Sequence, residues 1–122
     1  MDMSPVCTAM RATLAAMPSA APEPASAPGA LIFKVMGKMF AILSYGKVEA
    51  VSLKCDPHLA EILREQYAGV GHRYHLDRRH WISVSLDADV PAEEIDRLAA
   101  GSYALVVAGL TKKQRAELAL QP

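Results

Sequence analysis

Nothing in this chain is apolar for the roughly 20 residues that a membrane-crossing helix needs, so no span is expected. The start carries Asp2 and no early Lys or Arg, and Thr8, Arg11 and Thr13 interrupt the segment to Met17. A secretory leader needs a basic start and an unbroken apolar stretch, so none is expected. Only two cysteines occur, Cys7 and Cys55, far apart and outside any CxxC pair. Two thiols are too few for a disulfide scaffold, and reduced, partly buried thiols in the cytoplasm are the expectation. A charge surplus is missing too: 13 Lys and Arg balance 13 Asp and Glu. Diffuse attraction to a polyanion is thereby excluded, and nucleic-acid binding would have to come from a local basic face.

What is present is the composition of a folded domain. Hydrophobic residues make up 52% of 122 residues and charged residues 21%, which suits one domain over 1–122 with its own core. Ser4-Pro5 is a helix-start signal, and Val6, Met10, Leu14 and Met17 recur on one helical face. Residues 18–29 contain four prolines and little to pack, and read as a Pro/Ala-rich surface connection. Three strand candidates follow, 31–36, 39–45 and 48–54, with Gly37-Lys38 and Gly46-Lys47 at the breaks, where hairpin turns are expected.

Asp56-Pro57 repeats the start signal for a helix carrying Leu59, Ile62, Leu63 and Tyr67, with Glu61, Arg64 and Glu65 on its other side. Strands are expected at 72–76 and 80–86 around the turn Asp77-Arg78-Arg79. A third helix runs from Pro91 through Ala100 with acids in its first turn, a fourth helical stretch starts at Ser102, and Thr111 caps a short terminal helix. Clustered strands linked by hairpins predict an α+β fold: an antiparallel sheet of about five strands with helices on one face.

The densest polar stretch is 72–81, HRYHLDRRHW, with three arginines against one aspartate and three of the four histidines. Arginine grips phosphate in a fork, and Trp81 or Tyr74 offers a stacking surface for a base. The candidate nucleic-acid contacts are Arg73, Tyr74, Arg78, Arg79, His80 and Trp81, with Lys38 from the first hairpin and Lys112, Lys113 and Arg115 from the terminal helix. The competing reading is a solvated hairpin with Trp81 in the core. Lys34, Lys47 and Lys54 lie on neighbouring strands or turns and could join a basic sheet face; the competing reading is scattered strand lysines that protect edges and faces.

In a strand, His72 and His75 point to opposite faces, and the sequence has no HExxH or Cys/His ladder. No metal or other cofactor is therefore expected. His75 or His80 beside Asp77 is a workable acid–base pair, but no placed nucleophile such as GxSxG accompanies it, so no enzyme activity is expected. A pocket holding His75, His80 and Asp77 would instead point to a small-molecule binder or an enzyme.

The segments VMGKMFAIL, VSLKCDP, GHRYHLDRRHWISVSLD and GSYALVVAGLTKKQR, in that order from Phe33 to Arg115, resemble the MmcQ/YjbR-like family. Gly37 to Phe40, Lys54 to Pro57, the group His75, Arg79, His80 and Trp81, and the group Ser102, Tyr103, Leu105, Val106 and Val107 carry the resemblance, with Lys112, Lys113 and Arg115. It implies a CyaY-like (frataxin-like) α+β fold and a DNA-binding role, with a protein partner and no nucleic-acid role as the alternative. It brings no catalytic residue with it. Frataxin-like iron handling relies on an acidic helix and strand ridge; Asp2 is the only acid in the first helical region, so that role does not transfer.

Overall fold

The computed structural model describes residues 2–121. Helix α1 (Pro5–Ala15) is followed by strands β1 (Ala21–Pro24), β2 (Ala30–Val35), β3 (Lys38–Ser44) and β4 (Ala50–Lys54). Then come α2 (Pro57–Gln66), β5 (Val70–Gly71), β6 (Trp81–Ser85), α3 (Ala92–Ala108) and α4 (Lys112–Ala119). All strands join one antiparallel sheet in the order β1-β2-β3-β4-β6-β5. The expected α+β class holds, with six strands where about five were predicted.

Period-two patterning sets the faces. Leu53 pairs with Ile82 and Val51 with Val84, and these four are fully buried on the side that carries the helices. Cys7, Met10 and Leu14 from α1, Ala60 and Leu63 from α2, and Ile95, Leu98, Ala99 and Val106 from α3 complete one core around Phe33, Phe40 and Leu43. The start signals act as expected. Ser4 Oγ accepts from the Cys7 N–H, Asp56 accepts from His58 and Leu59, and Thr111 and Gln114 form a reciprocal capping box.

Four expectations change. The 18–29 segment stays at the surface, but Ala21–Pro24 adds an edge strand to β2. Alternate residues of an edge strand turn their amides outward, so Pro22 and Pro24, which share one parity, cost the ladder nothing. Glu23 also pairs with Lys34 across that edge at 2.6 Å. Second, the hairpin turn is Met36-Gly37, both at positive φ (49° and 80°), as a type I′ turn requires; Lys38 is the first residue of β3.

Third, 72–76 is not a strand. Only Val70–Gly71 pairs with β6. Beyond them His75 adopts φ 76°, the Leu76 N–H bonds the Arg73 carbonyl, and the His72 ring bonds the Leu76 carbonyl, so the chain curls on itself.

Fourth, the third and fourth helical stretches are one helix, α3, running through Gly101 and Ser102. Ser102 does not cap a helix start. Its fully buried hydroxyl accepts from the Lys54 N–H (2.8 Å) and donates to the Phe40 carbonyl (2.6 Å), tying α3 to β3 and β4. Tyr103 beside it meets Phe40 edge-on, and its hydroxyl donates to the Pro18 carbonyl at 2.6 Å.

Candidate nucleic-acid interface

Antiparallel pairing decides which cations share a neighbourhood. Val35 pairs with Lys38 and Lys54 with Trp81, so the end of β2, the start of β3, the end of β4 and the start of β6 lie at one end of the sheet. The Asp77–His80 turn leads directly into β6 and brings Arg78 and Arg79 to the same end. The C-terminal end of α3 reaches it as well. Lys38 and Lys54 line one shallow depression of about 290 Å³ with Leu105, Val106 and Gly109. Lys112 and Lys113 follow shortly after Gly109, in the first turn of α4, where a helix dipole disfavours positive charge.

Arg78 and Arg79 are positioned by two devices. Asp77 accepts from the Arg79 N–H (2.9 Å) and from His80 Nδ1 (2.6 Å), which folds the turn; these bonds hold the Asp77 carboxyl below the ordinary carboxylate range. Arg64 on α2 donates through Nη2 to the carbonyls of Arg78 (2.5 Å) and Trp81 (2.9 Å), fastening the turn to the helix. Between turn and helix lies an open cleft of about 550 Å³, lined by His58, Arg64, Arg78 and Arg79 and also by Glu61 and Glu65.

Six of the ten residues nominated from sequence therefore gather at one end: Lys38, Arg78, Arg79, Trp81, Lys112 and Lys113. Among the described residues the five cations in that group form no ion pair. Trp81 is partly buried on the sheet face away from the core, beside Lys54. The other four are placed differently. Arg73 turns away to donate to Ser44 Oγ (2.8 Å), at the opposite end of β3. Tyr74 is 79% exposed and lies against the His75 ring, centroids 4.0 Å apart. His80 is held by Asp77. Arg115 donates to the Ala108 carbonyl (3.0 Å) and closes the end of α3.

The sequence offers Lys54 as one of three lysines for a basic sheet face, outside the ten nominated contacts, and Arg64 only as helix decoration. Lys54 belongs to the basic end, and Arg64 is the fastening behind it. The Lys54-Cys55-Asp56-Pro57 motif carried the signal for the first; for Arg64 no local signal exists, because its partners are backbone carbonyls. His75 makes no hydrogen bond to Asp77 or His80 among the described residues, and there no three His, Cys, Asp or Glu side chains assemble as a metal site.

The YjbR family model matches residues 15–105. The uncharacterized protein YjbR of Escherichia coli K12 is 40% identical over 85 residues, covering 67% of this chain and 70% of that one. The uncharacterized protein YyaQ of Bacillus subtilis is 32% identical over 75 residues, covering 62% of this chain and 63% of that one. Among solved structures, Deinococcus radiodurans protein DR2400, of domain family DUF419, superposes with a TM-score of 0.82 at 36% identity, over 91% of this chain and 86% of that one. A Pseudomonas syringae protein gives a TM-score of 0.70 at 26% identity, over 80% of this chain and 96% of that one.

Proposed function

The chain belongs to the YjbR family, and we propose that it is a non-catalytic, cytoplasmic nucleic-acid-binding module whose contact surface is the basic end of its sheet. One observation carries the reading. A molecule with no net charge collects Lys38, Lys54, Arg78, Arg79, Lys112 and Lys113 at one end, and none of the six has an ion-pair partner among the described residues. Separated cations are what an electrically balanced protein needs to hold a polyanion.

In this reading Arg78 and Arg79 grip phosphates in forks, and the lysines act as point charges along the backbone. Lys112 and Lys113 add charge beside the free amides that open α4. Trp81 supplies a stacking surface for an unpaired base. Phosphate contacts fix position without reading bases, so weak sequence preference is expected. The DNA-binding role implied by the resemblance to the MmcQ/YjbR-like family agrees with this reading.

The test is a fluorescence-anisotropy titration of labelled duplex and single-stranded DNA at two salt concentrations. Six phosphate contacts predict a fall of roughly 10³-fold in duplex affinity between 50 and 200 mM salt. The absence of binding at the lower salt to either DNA overturns the proposal.

A further inference from the structure

Arg73 stands just past β5, yet its guanidinium donates to Ser44 Oγ on β3 at 2.8 Å. In the order β3-β4-β6-β5 those strands are three intervals apart, about 14 Å at ordinary strand spacing and more than one arginine side chain spans. The chain itself must therefore leave β5 and cross over β6 toward β4. Register names the face it crosses. Leu43 and Val51 pair and point to the helices, so Ser44 points to the other side, together with the paired Ser52 and Ser83.

Residues 72–76 thus form a strap over the outer face of the sheet. Its ends are fixed: Gly71 pairs with Ser83, and Asp77 is held by the Arg79 N–H and by His80. The bonds of His72 to Leu76 and of Leu76 to Arg73 stay inside the strap. Among the described residues, Arg73–Ser44 is the only hydrogen bond from 72–76 to the rest of the molecule.

That tether is weak, and closure carries a cost. Arg73 is half-buried, forms no ion pair among the described residues, and sets its charge against a neutral hydroxyl. A phosphate offers a guanidinium two parallel charge-assisted bonds, each roughly twice as strong as a neutral one. Ser52, on a strand the strap reaches across to Ser44, is 1% exposed, and its Oγ has no hydrogen-bond partner among the described residues. An unpartnered buried hydroxyl is unfavourable until water reaches it. His75 within the strap is held at φ 76°, which residues other than glycine rarely adopt.

We propose that 72–76 is a strap latched by Arg73 and Ser44, and that nucleic acid opens it by taking the Arg73 guanidinium onto a phosphate. This rests on the nucleic-acid reading above. The strap runs directly into Asp77-Arg78-Arg79, so a strand held by Arg78 and Arg79 lies a few residues from Arg73. Only the open form offers that guanidinium to a phosphate, and this difference between the two forms is what lets the ligand shift the balance. Tyr74, 79% exposed, moves with Arg73.

The test has one arm without DNA and one with it. In the free full chain, ¹⁵N relaxation of amides 72–76 reads the latch. Ser44→Ala and Arg73→Ala should each make those amides more mobile than in the wild type, with the circular-dichroism spectrum unchanged. Fluorescence-anisotropy titration with single-stranded DNA reads the gate. Ser44→Ala frees Arg73 and should bind about 3–10-fold more tightly, the gain from deleting one neutral hydrogen bond of the closed form. Arg73→Ala opens the strap but removes the phosphate contact, and should bind no more tightly than the wild type. Unchanged mobility at 72–76 in both variants overturns the latch. Loosened amides with wild-type affinity in Ser44→Ala overturn the gating. No binding by the wild type or either variant at low salt overturns the nucleic-acid reading and DNA as the opener, while the DNA-free relaxation still upholds or overturns the latch.

Discussion

Ser102→Ala removes one oxygen and orphans two backbone groups. In the folded chain the Ser102 hydroxyl serves the Lys54 N–H at 2.8 Å and the Phe40 carbonyl at 2.6 Å, beyond the point where the β3–β4 ladder ends at Ala41 and Leu53. The serine is fully buried, so water does not replace it without opening the contact between α3 and the sheet. Each orphaned buried group costs about 1–3 kcal/mol, and alanine returns only about 0.5 kcal/mol of helix propensity, so a net loss of about 1.5–5.5 kcal/mol is expected. With an unfolding entropy near 2.1 cal/mol/K per residue, that loss lowers Tm by about 6–21 °C. Urea unfolding followed by circular dichroism reads the effect as a lower midpoint at unchanged m. A loss below about 1 kcal/mol would refute the reasoning and mean that the two backbone groups find other partners.

Three further outcomes follow from the same geometry. Gly101→Ala, one residue away but facing open space, should stabilise by about 0.5–1 kcal/mol in the same urea assay, because it adds helix propensity without a clash. Gly69→Ala should destabilise by about 1–3 kcal/mol, since its Cβ would stand 2.7 Å from Ala88 Cβ and 2.9 Å from Asp89 Oδ1. Acid should weaken the fold through Glu49, Asp77 and Asp89, each held below its ordinary value: Glu49 by bonds from Ser4, Asp77 by His80 and the Arg79 amide, Asp89 by the amides of Gly69 and Ala68. A lowered folded pKa gives stability that is present above about pH 4 and lost as pH falls through the folded value. Tm measured from pH 7 to pH 3 should therefore fall at the acid end, and in Asp89→Asn the fall should be shallower.

Legibility in the sequence followed the range of the interactions. The cap pairs Ser4-Pro5 and Asp56-Pro57 and the cap at Thr111 placed α1, α2 and α4 within a residue or two, because a cap is written within four residues. Strands β2 to β4 were readable from apolar runs broken at turns. The edge strand β1 was not, since its prolines oppose strand formation everywhere except at an outward-facing edge. Ser102 read as a helix start because serine usually serves its own backbone; here it serves a sheet more than 45 residues earlier in the chain.

The arginine turn was legible as a local run of charge. That Lys54 stands beside Trp81, and that Arg73 turns away to Ser44, depends on strand register and loop path, and neither is encoded within a window of neighbouring residues.

The most direct test of the basic end compares the salt dependence of duplex DNA binding for the wild type and for the triple variant Lys38→Ala/Arg79→Ala/Lys112→Ala. Each phosphate contact contributes about −0.9 to the slope of log K against log salt, so the variant should lose roughly 3 units of slope and bind more weakly at every salt concentration. A Lys47→Ala variant, altered in the turn at the opposite end of the sheet, should keep the wild-type slope. Equal slopes for the wild type and the triple variant would contradict the assignment of this surface.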